Sequence, residues 1–498
     1  MENLVFGYHQ IPPSSWAYLS SLLMLALFFK FNRVWALRNV DLILVILLAP
    51  GLLMIYEGRQ MSRAAPATEL SNQPSHSAVE DTARGPQVDE AANQDPDDRK
   101  SAEPTLPSKT EKDTTEPTPT SQLTQAQRIE RNGYIWLFSV GLVLLLRTLL
   151  DPLLIRRPQL EPNLSTGGLV FLGLSMLSVS IANIIITAPS AEGLSGAESG
   201  VKMVQRIAAE EKDQKDLRVH GPGYALFHAL VVSTVQGELE VVAKVLAIAG
   251  QIALVLGLLY IGRYHFLNFR NGLGVAVLYM MLPYSTMFAG HVMHLLPAAL
   301  LVWAIALYRF PLWAGVLLGL ATGVSYYPFF LLPLWMSFYW ERGVWRFCTG
   351  TILALLVAVG GLAFTSTDVP AFFVQLRQMF GFWVPRVEGL TGIWSLGWDP
   401  WFRLPIMVAF FVLCISFIFW PLRKSVGALI AYTSAIMVSV QFWHGYEGGS
   451  HMAWYLPLCL LVFFRPNLSE RFATTEVPAS SARRRFRTDT GENMISAA

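Results

Sequence analysis

The sequence predicts an all-α protein: a polytopic transmembrane helix bundle of roughly twelve spans, with a juxtamembrane helix in an outer loop. Three observations carry this expectation. Of 498 residues, 53% are hydrophobic and only 14% charged, a balance too apolar for an ordinary soluble chain. Mean hydropathy is +0.42, although one long polar stretch pulls it down. Basic residues fall in short clusters between apolar runs, as bilayer topology demands. The net charge of +2 gives no reason to expect nucleic acid as a partner.

Residues 16–31 and 42–56 are apolar runs separated by Lys30, Arg33 and Arg38. The positive-inside rule puts that turn in the cytoplasm and the N-terminus outside. No basic region precedes the first run, so it reads as a retained span rather than a cleavable signal. Residues 1–58 therefore read as two N-terminal transmembrane helices. The composition then changes. Residues 59–127 are dominated by Pro, Ser, Thr, Glu, Asp and Gln and contain no aromatic residue. Such a segment buries too little surface to offset its ordering entropy, and a disordered extracytoplasmic linker is expected. Asp97 and Asp98 within it read as solvating charge rather than a catalytic pair.

Residues 128–466 carry the main transmembrane module, and 467–498 form a basic cytoplasmic tail. The run 134–150 ends at Arg147, Arg156 and Arg157, and 168–188 goes outward to a polar loop at 189–220. Residues 224–235 are only about half of the ~20 that a helical crossing needs. Residues 241–261 are full length. If both crossed, every later basic cluster would land outside, so 224–235 is expected to be half-embedded. Irregular backbone at that depth requires protein or a wet cavity around it. Later runs alternate between basic clusters inside and aromatic or polar turns outside. Cys348, Cys414 and Cys459 lie in or beside apolar runs with no pair at metal-ligand spacing, and read as packed thiols.

Several outer turns hold polar groups that a lipid-facing loop would not need. The first begins with Glu192 and Glu198, followed by Val201, Val204 and Ile207 at helical spacing, and then His220-Gly221-Pro222-Gly223-Tyr224. Pro222 between two glycines gives a stiff return to the membrane and lets backbone approach a ligand closely. His220 or a nearby carboxylate could act as a general base if partly desolvated. The same residues equally suit an ordinary helix start with solvated acids. His291 and His294 lie three apart, on one helical face. Two histidines could hold a metal, yet no third ligand lies close in sequence, and interfacial capping explains them as well. Arg377, Arg386, Glu388 and Asp399 lie among Trp383, Trp394, Trp398 and Trp401. Arginine suits phosphate, and tryptophan suits a sugar face or the bilayer interface. His444 and His451 bound one more outward turn that would complete the same cavity.

This arrangement resembles the GT-C superfamily of polytopic glycosyltransferases, which use polyprenyl-phosphate-linked sugars. In that family an acid in the first large outer loop precedes a juxtamembrane helix and a segment such as His-Pro-Pro-Gly-Tyr. Here the order is Glu192/Glu198, then a helix expected at 201–213, then 220–224. Leu278-Tyr279-Met280-Met281-Leu282-Pro283, the glycine-spaced stretch 315–323 and Tyr326-Tyr327-Pro328 also resemble the family's middle helices. The similarity covers roughly 168–333. The sequence departs from the family pattern in having glutamates where Asp is usual, Val201 where an aromatic is frequent, and Gly221 in place of the first proline. The resemblance implies transfer of a hexose or pentose from a polyprenyl-phosphate donor to an extracytoplasmic acceptor, in the envelope of a bacterial plasma membrane. Glu198 or Glu192 would be the base, with Glu198 favoured because a rigid helix positions a base better than a loop does. Arg377 and Arg386 would hold the donor phosphate. His220, Tyr224, His291, His294, Glu388, His444 and His451 would line the substrate site. The cofactor is left open, with a divalent cation as the candidate, and so is the oligomeric state.

Two other classes compete. A transporter or flippase of a lipid-linked or amphipathic substrate would show inverted repeats or charges within the spans. No repeat is visible, and the spans look nearly free of charge. A non-catalytic membrane scaffold of the same fold would have lost the acid.

Overall fold

A computed structural model describes residues 12–71, 119–154, 159–205, 220–235, 237–365, 369, 370, 372, 373, 376, 389–421 and 424–468. The described residues are helical with no β-strand. In chain order the helices are α1 (Pro13–Phe28), α2 (Leu37–Ile46), α3 (Leu48–Ser71), α4 (Pro119–Leu150), α5 (Thr166–Ile186) and α6 (Ala191–Gln205). Then come α7 (Pro222–Thr234), α8 (Leu239–Tyr260), α9 (Phe269–Met281), α10 (Pro283–Met287), α11 (Val292–Ala306) and α12 (Pro311–Val324). The last are α13 (Leu332–Phe338), α14 (Val344–Thr365), α15 (Arg403–Phe419), α16 (Val426–Val440) and α17 (Leu456–Phe464).

Among the described residues six segments are long and apolar enough to cross a membrane: Leu37–Ala64, Gln125–Leu153, Thr166–Ile186, Leu239–His265, Val344–Ala363 and Pro400–Phe419. Shorter apolar helical segments accompany them, including Val292–Ala306, Pro311–Val324 and Val426–Val440. The membrane-protein class expected from composition therefore holds, while the long segments number six against the roughly twelve expected crossings. Proline is the physical reason. Pro283, Pro311, Pro333 and Pro457 each sit in the first turn of a helix, where their missing N–H costs nothing but the preceding turn must break.

Burial sorts the helices into layers. Helices α9, α11, α16 and α17 are apolar all round and buried along almost their whole length, as central helices must be. Helices α5, α14 and α15 are as apolar but expose Phe171, Leu174, Leu356 and Val408, a surface that suits lipid rather than water. Helices α12 and α14 meet through glycine. A Cβ on Gly315 would lie 2.1 Å from the Phe347 carbonyl oxygen, and one on Gly350 would lie 2.1 Å from that of Leu312. The glycine spacing at 315–323 is thus a helix-packing face of the small-residue kind.

At the end of the bundle holding the basic turns, a buried ion network joins distant parts of the chain. Arg147 is bidentate to Asp41, at 2.7 Å from Nε and 2.9 Å from Nη2, and its Nη1 donates to Asp151 at 2.9 Å. Arg465 donates to the other Asp151 oxygen. Two acids and two cations balance here, so the spans are not free of charge as expected. Each acid sits singly in or beside an apolar run, where no sequence pattern singles it out.

The chain divides into two compact units, Met1–Ile55 with Arg131–Ala498, and Tyr56–Glu130. In the smaller unit the end of α3 meets the start of α4. A Cβ on Gly58 would come within 2.8 Å of the Ala126 carbonyl oxygen, and Arg59 Nε donates to Glu130 at 3.0 Å. Residues 59–71 and 119–127 were expected within the disordered linker and are helical instead. At Gly58, Arg59, Ala126 and Glu130 the two helices supply each other with packing partners that composition alone does not reveal. Residues 72–118 and the tail from 469 onward lie outside the described residues.

Candidate functional site

The site is built at the opposite end, starting from α6 and α7. Helix α6 buries Gly193, Gly196, Ala197 and Gly200, a small-residue face that lets α7 approach. A Cβ on Gly196 would meet Tyr224 at 2.4 Å and His228 at 2.7 Å, and one on Gly200 would meet the Ala229 backbone nitrogen at 2.8 Å. Pro222 opens α7 in its first turn. The neighbouring glycines admit backbone: the Gly221 N–H donates to the Val324 carbonyl at 2.9 Å, and a Cβ there would sit 2.1 Å from the Gly323 oxygen. Close approach was expected, but toward a ligand. The partner is instead the end of α12, which explains why glycine rather than proline stands at 221.

Helix α7 does not carry the chain across. Its 13 residues span about 20 Å at 1.5 Å per residue. By the first turns of α8 the chain is back at the same end, where Lys244 donates to the Ile185 carbonyl at 2.6 Å and Ala243 lies beside Gly193.

Glu192 falls in the first turn of α6 and is half-buried, with its carbonyl accepting from the Tyr224 hydroxyl at 3.2 Å. Glu198, expected to begin the helix, lies in its middle. Its side chain is 54% exposed and pairs with Lys202 at 3.2 Å. Of the helix expected at 201–213, residues 201–205 are helical as the end of α6, which begins ten residues earlier and buries small residues rather than the valines, while 206–213 lie outside the described residues. Tyr224 lies between two rings: His220 stacks on it at 4.5 Å and His228 meets it edge-on at 4.6 Å.

His220, His228, His291, His294, His444 and His451, out of nine histidines in the chain, gather at this end. His291 and His294 are 5.3 Å apart, His294 stacks on His451 at 4.6 Å, and His451 is 4.6 Å from His444. The Tyr284 hydroxyl bonds His294 Nδ1 at 2.5 Å. Trp454 anchors the turn by donating to the Met293 carbonyl at 3.1 Å, and Tyr327 packs on Trp454 and His444. Burial dictates the charge state. It pushes His220 down to about 3, with His228 and His451 adding to the shift. Burial and then His451 push His444 well below the ordinary imidazole value. Burial also lowers His291, opposed by Glu447. These three rings are neutral at pH 7, resist protonation, and can hydrogen-bond a hydroxyl.

Arg403 brings a cation to the cluster. It is buried, donates from Nε to the Trp443 carbonyl at 3.1 Å, and lies 5.8 Å from the Trp394 ring. The sequence signal for it was available: an arginine opening a helix at the end of the bundle expected to face outward, where basic residues are sparse. Asp399 accepts from the Trp401 N–H at 3.0 Å and so serves as a local cap. Arg377, Arg386 and Glu388 lie outside the described residues. No group of three or more His, Cys, Asp or Glu among the described residues is arranged to hold a metal ion.

Buried polar atoms at this end without a hydrogen-bond partner among the described residues include His220 Nδ1, His228 Nε2, Ser325 Oγ and Trp443 Nε1. Buried polar groups are seldom left so, and a concentration of them marks where a ligand or water belongs. No family model, no curated protein and no solved structure matches this chain.

Proposed function

We propose that this protein is a GT-C-like membrane glycosyltransferase that moves a sugar from a polyprenyl-phosphate donor to an acceptor at the outer face of a plasma membrane. The observation that carries this reading is the convergence, at one end of the bundle, of Glu192, neutral histidines and unpartnered buried polar atoms beside Arg403. In the reaction Glu192 takes the proton of the acceptor hydroxyl as its oxygen forms the new bond to the anomeric carbon. The bond from that carbon to the donor's phosphate oxygen breaks, and the lipid phosphate leaves with the electron pair. Arg403, joined by Arg377 and Arg386, holds that phosphate as its charge grows. His220 and His451 hydrogen-bond sugar hydroxyls. Roughly twelve crossings, with the shorter apolar helices reaching through the central layer, complete the architecture of this reading.

The experiment is a membrane assay of sugar transfer from radiolabelled polyprenyl-phosphate donors. Replacing Glu192 by Gln keeps its shape, removes its basicity, and should lower the rate on the order of 10²–10⁴-fold, the usual contribution of general-base catalysis. Absence of transfer from every donor tried would overturn the assignment. The buried Asp41–Arg147–Asp151–Arg465 network favours a second reading, a lipid-substrate transporter, since ionisable groups inside spans often mark pathways. Transport without bond cleavage, followed with a doubly labelled donor, would establish it.

A further inference from the structure

The turn between α1 and α2 has features that neither helix packing nor the proposed reaction uses. Lys30, Arg33 and Arg38 make no ion pair among the described residues. The nearest acid in sequence, Asp41, is committed to Arg147. The turn is also rigid. Buried Asn39 accepts from the Lys30 N–H at 3.1 Å and donates to the carbonyls of Lys30 at 3.0 Å, Arg33 at 2.9 Å and Val34 at 3.1 Å. With its carbonyls held inward on one amide, the turn presents its side chains outward. They line an open surface hollow of about 660 Å³, formed by Phe31, Arg33, Val34, Trp35 and Arg38, among others. Arg38 Nε is buried there without a hydrogen-bond partner among the described residues.

We infer that this turn is a binding site for the phosphate-bearing headgroup of an anionic phospholipid. Arg33 and Arg38 supply forked donors that match phosphate oxygens, and Lys30 adds a third positive charge. The site takes a lipid rather than free phosphate because Phe31, Val34 and Trp35 are exposed around it, Trp35 by 93%. Those side chains belong at the boundary between headgroups and acyl chains, where tryptophan concentrates. Each cation near an anionic bilayer surface contributes about 1 kcal/mol of attraction, so the three act together as an anchor for α1 and α2.

The test uses the full chain in neutral detergent, titrated with dioctanoyl-phosphatidylglycerol, dioctanoyl-phosphatidylcholine or inorganic phosphate, with the thermal midpoint as readout. Phosphatidylglycerol should raise the midpoint saturably, whereas phosphatidylcholine and phosphate should not. Arg33→Gln with Arg38→Gln should weaken the phosphatidylglycerol response roughly 10–30-fold, the loss of two surface cations, with unchanged unfolding in phosphatidylcholine. Equal responses of the double variant and wild type would overturn the site. A phosphate response as large as that of phosphatidylglycerol would overturn the lipid assignment. Trp35→Ser removes an exposed side chain and leaves the cations in place, so it guards against a misfolded double variant. It too should weaken phosphatidylglycerol, and an unchanged titration would overturn the proposal.

Discussion

At the scale of single residues, the two glutamates of the outer loop separate by environment. Glu198 has a lysine four residues on and open solvent around it, whereas Glu192 is half-buried where α6 begins, beside Tyr224. Glu198→Gln should therefore leave sugar transfer near wild type while Glu192→Gln lowers it on the order of 10²–10⁴-fold, and the reverse outcome would move the base back to the helix middle. The histidines make a second prediction. His220, His291 and His444 titrate below their unfolded values because burial disfavours the imidazolium. As pH falls below about 6.5, the unfolded chain takes up protons that the native protein does not, so stability is full above that pH and is lost on acidification. For His220 this window runs down to about 3. Each such group adds a slope of roughly 1.4 kcal/mol per pH unit. Thermal midpoints measured from pH 8 to pH 5 should drop, and His220→Gln should flatten the drop. A pH-independent midpoint would show these rings to be solvated.

At the scale of elements, the junction of α7 with α12 depends on two missing side chains. Gly221→Ala would drive a methyl into the Gly323 carbonyl, and Gly223→Ala into the same residue's carbonyl carbon at 2.7 Å. Backbone cannot yield as a side-chain tip does, so each should cost at least the usual 1–3 kcal/mol of overpacking. Chemical or thermal unfolding of the purified variants measures it, and a neutral result would mean that the helices separate freely. The same junction shows how far a sequence can be read. Gly-Pro-Gly before an apolar run announces tight backbone geometry, and the short run at 224–235 announces a helix that does not cross. What the glycines approach depends on α12, a hundred residues away, and local pattern cannot supply it. The start of α6 is hidden in the sequence for a related reason: its buried face is Gly193, Gly196, Ala197 and Gly200, and small residues leave no hydrophobic period to detect. The histidines at 291, 294, 444 and 451 were each visible as polar groups in outer turns. Their stacking into one cluster is set by helix packing, and Arg403 reads in sequence as the boundary of an apolar run, its burial depending on the Trp443 turn.

At the scale of the whole molecule, the helix ends place Glu198 and the Trp340–Gly343 turn on opposite sides of the bundle. In intact cells Glu198→Cys should react with an impermeant thiol reagent, whereas Arg342→Cys should react only after permeabilisation. The reverse pattern would invert the topology. The helical ends of the long polar insert predict a second asymmetry. Excising residues 72–118 should leave thermal stability within about 0.5 kcal/mol. Cutting into 59–71 should lower it, since Gly58 and Arg59 bring that helix against Ala126 and Glu130. The four-charge network has a consequence for how the chain is made. Asp41 reaches the bilayer early in synthesis, near the start of its segment, where an unpaired acid is unfavourable. Arg147 neutralises it, Asp151 leaves the nascent assembly one negative charge in excess, and Arg465 restores balance only after the last helix emerges. Ribosome-bound intermediates should thus stay recognisable to membrane quality control until Arg465 is translated. A chain stopped just before that residue should be degraded faster than one stopped just after it, which pulse-chase labelling of the two truncations would reveal.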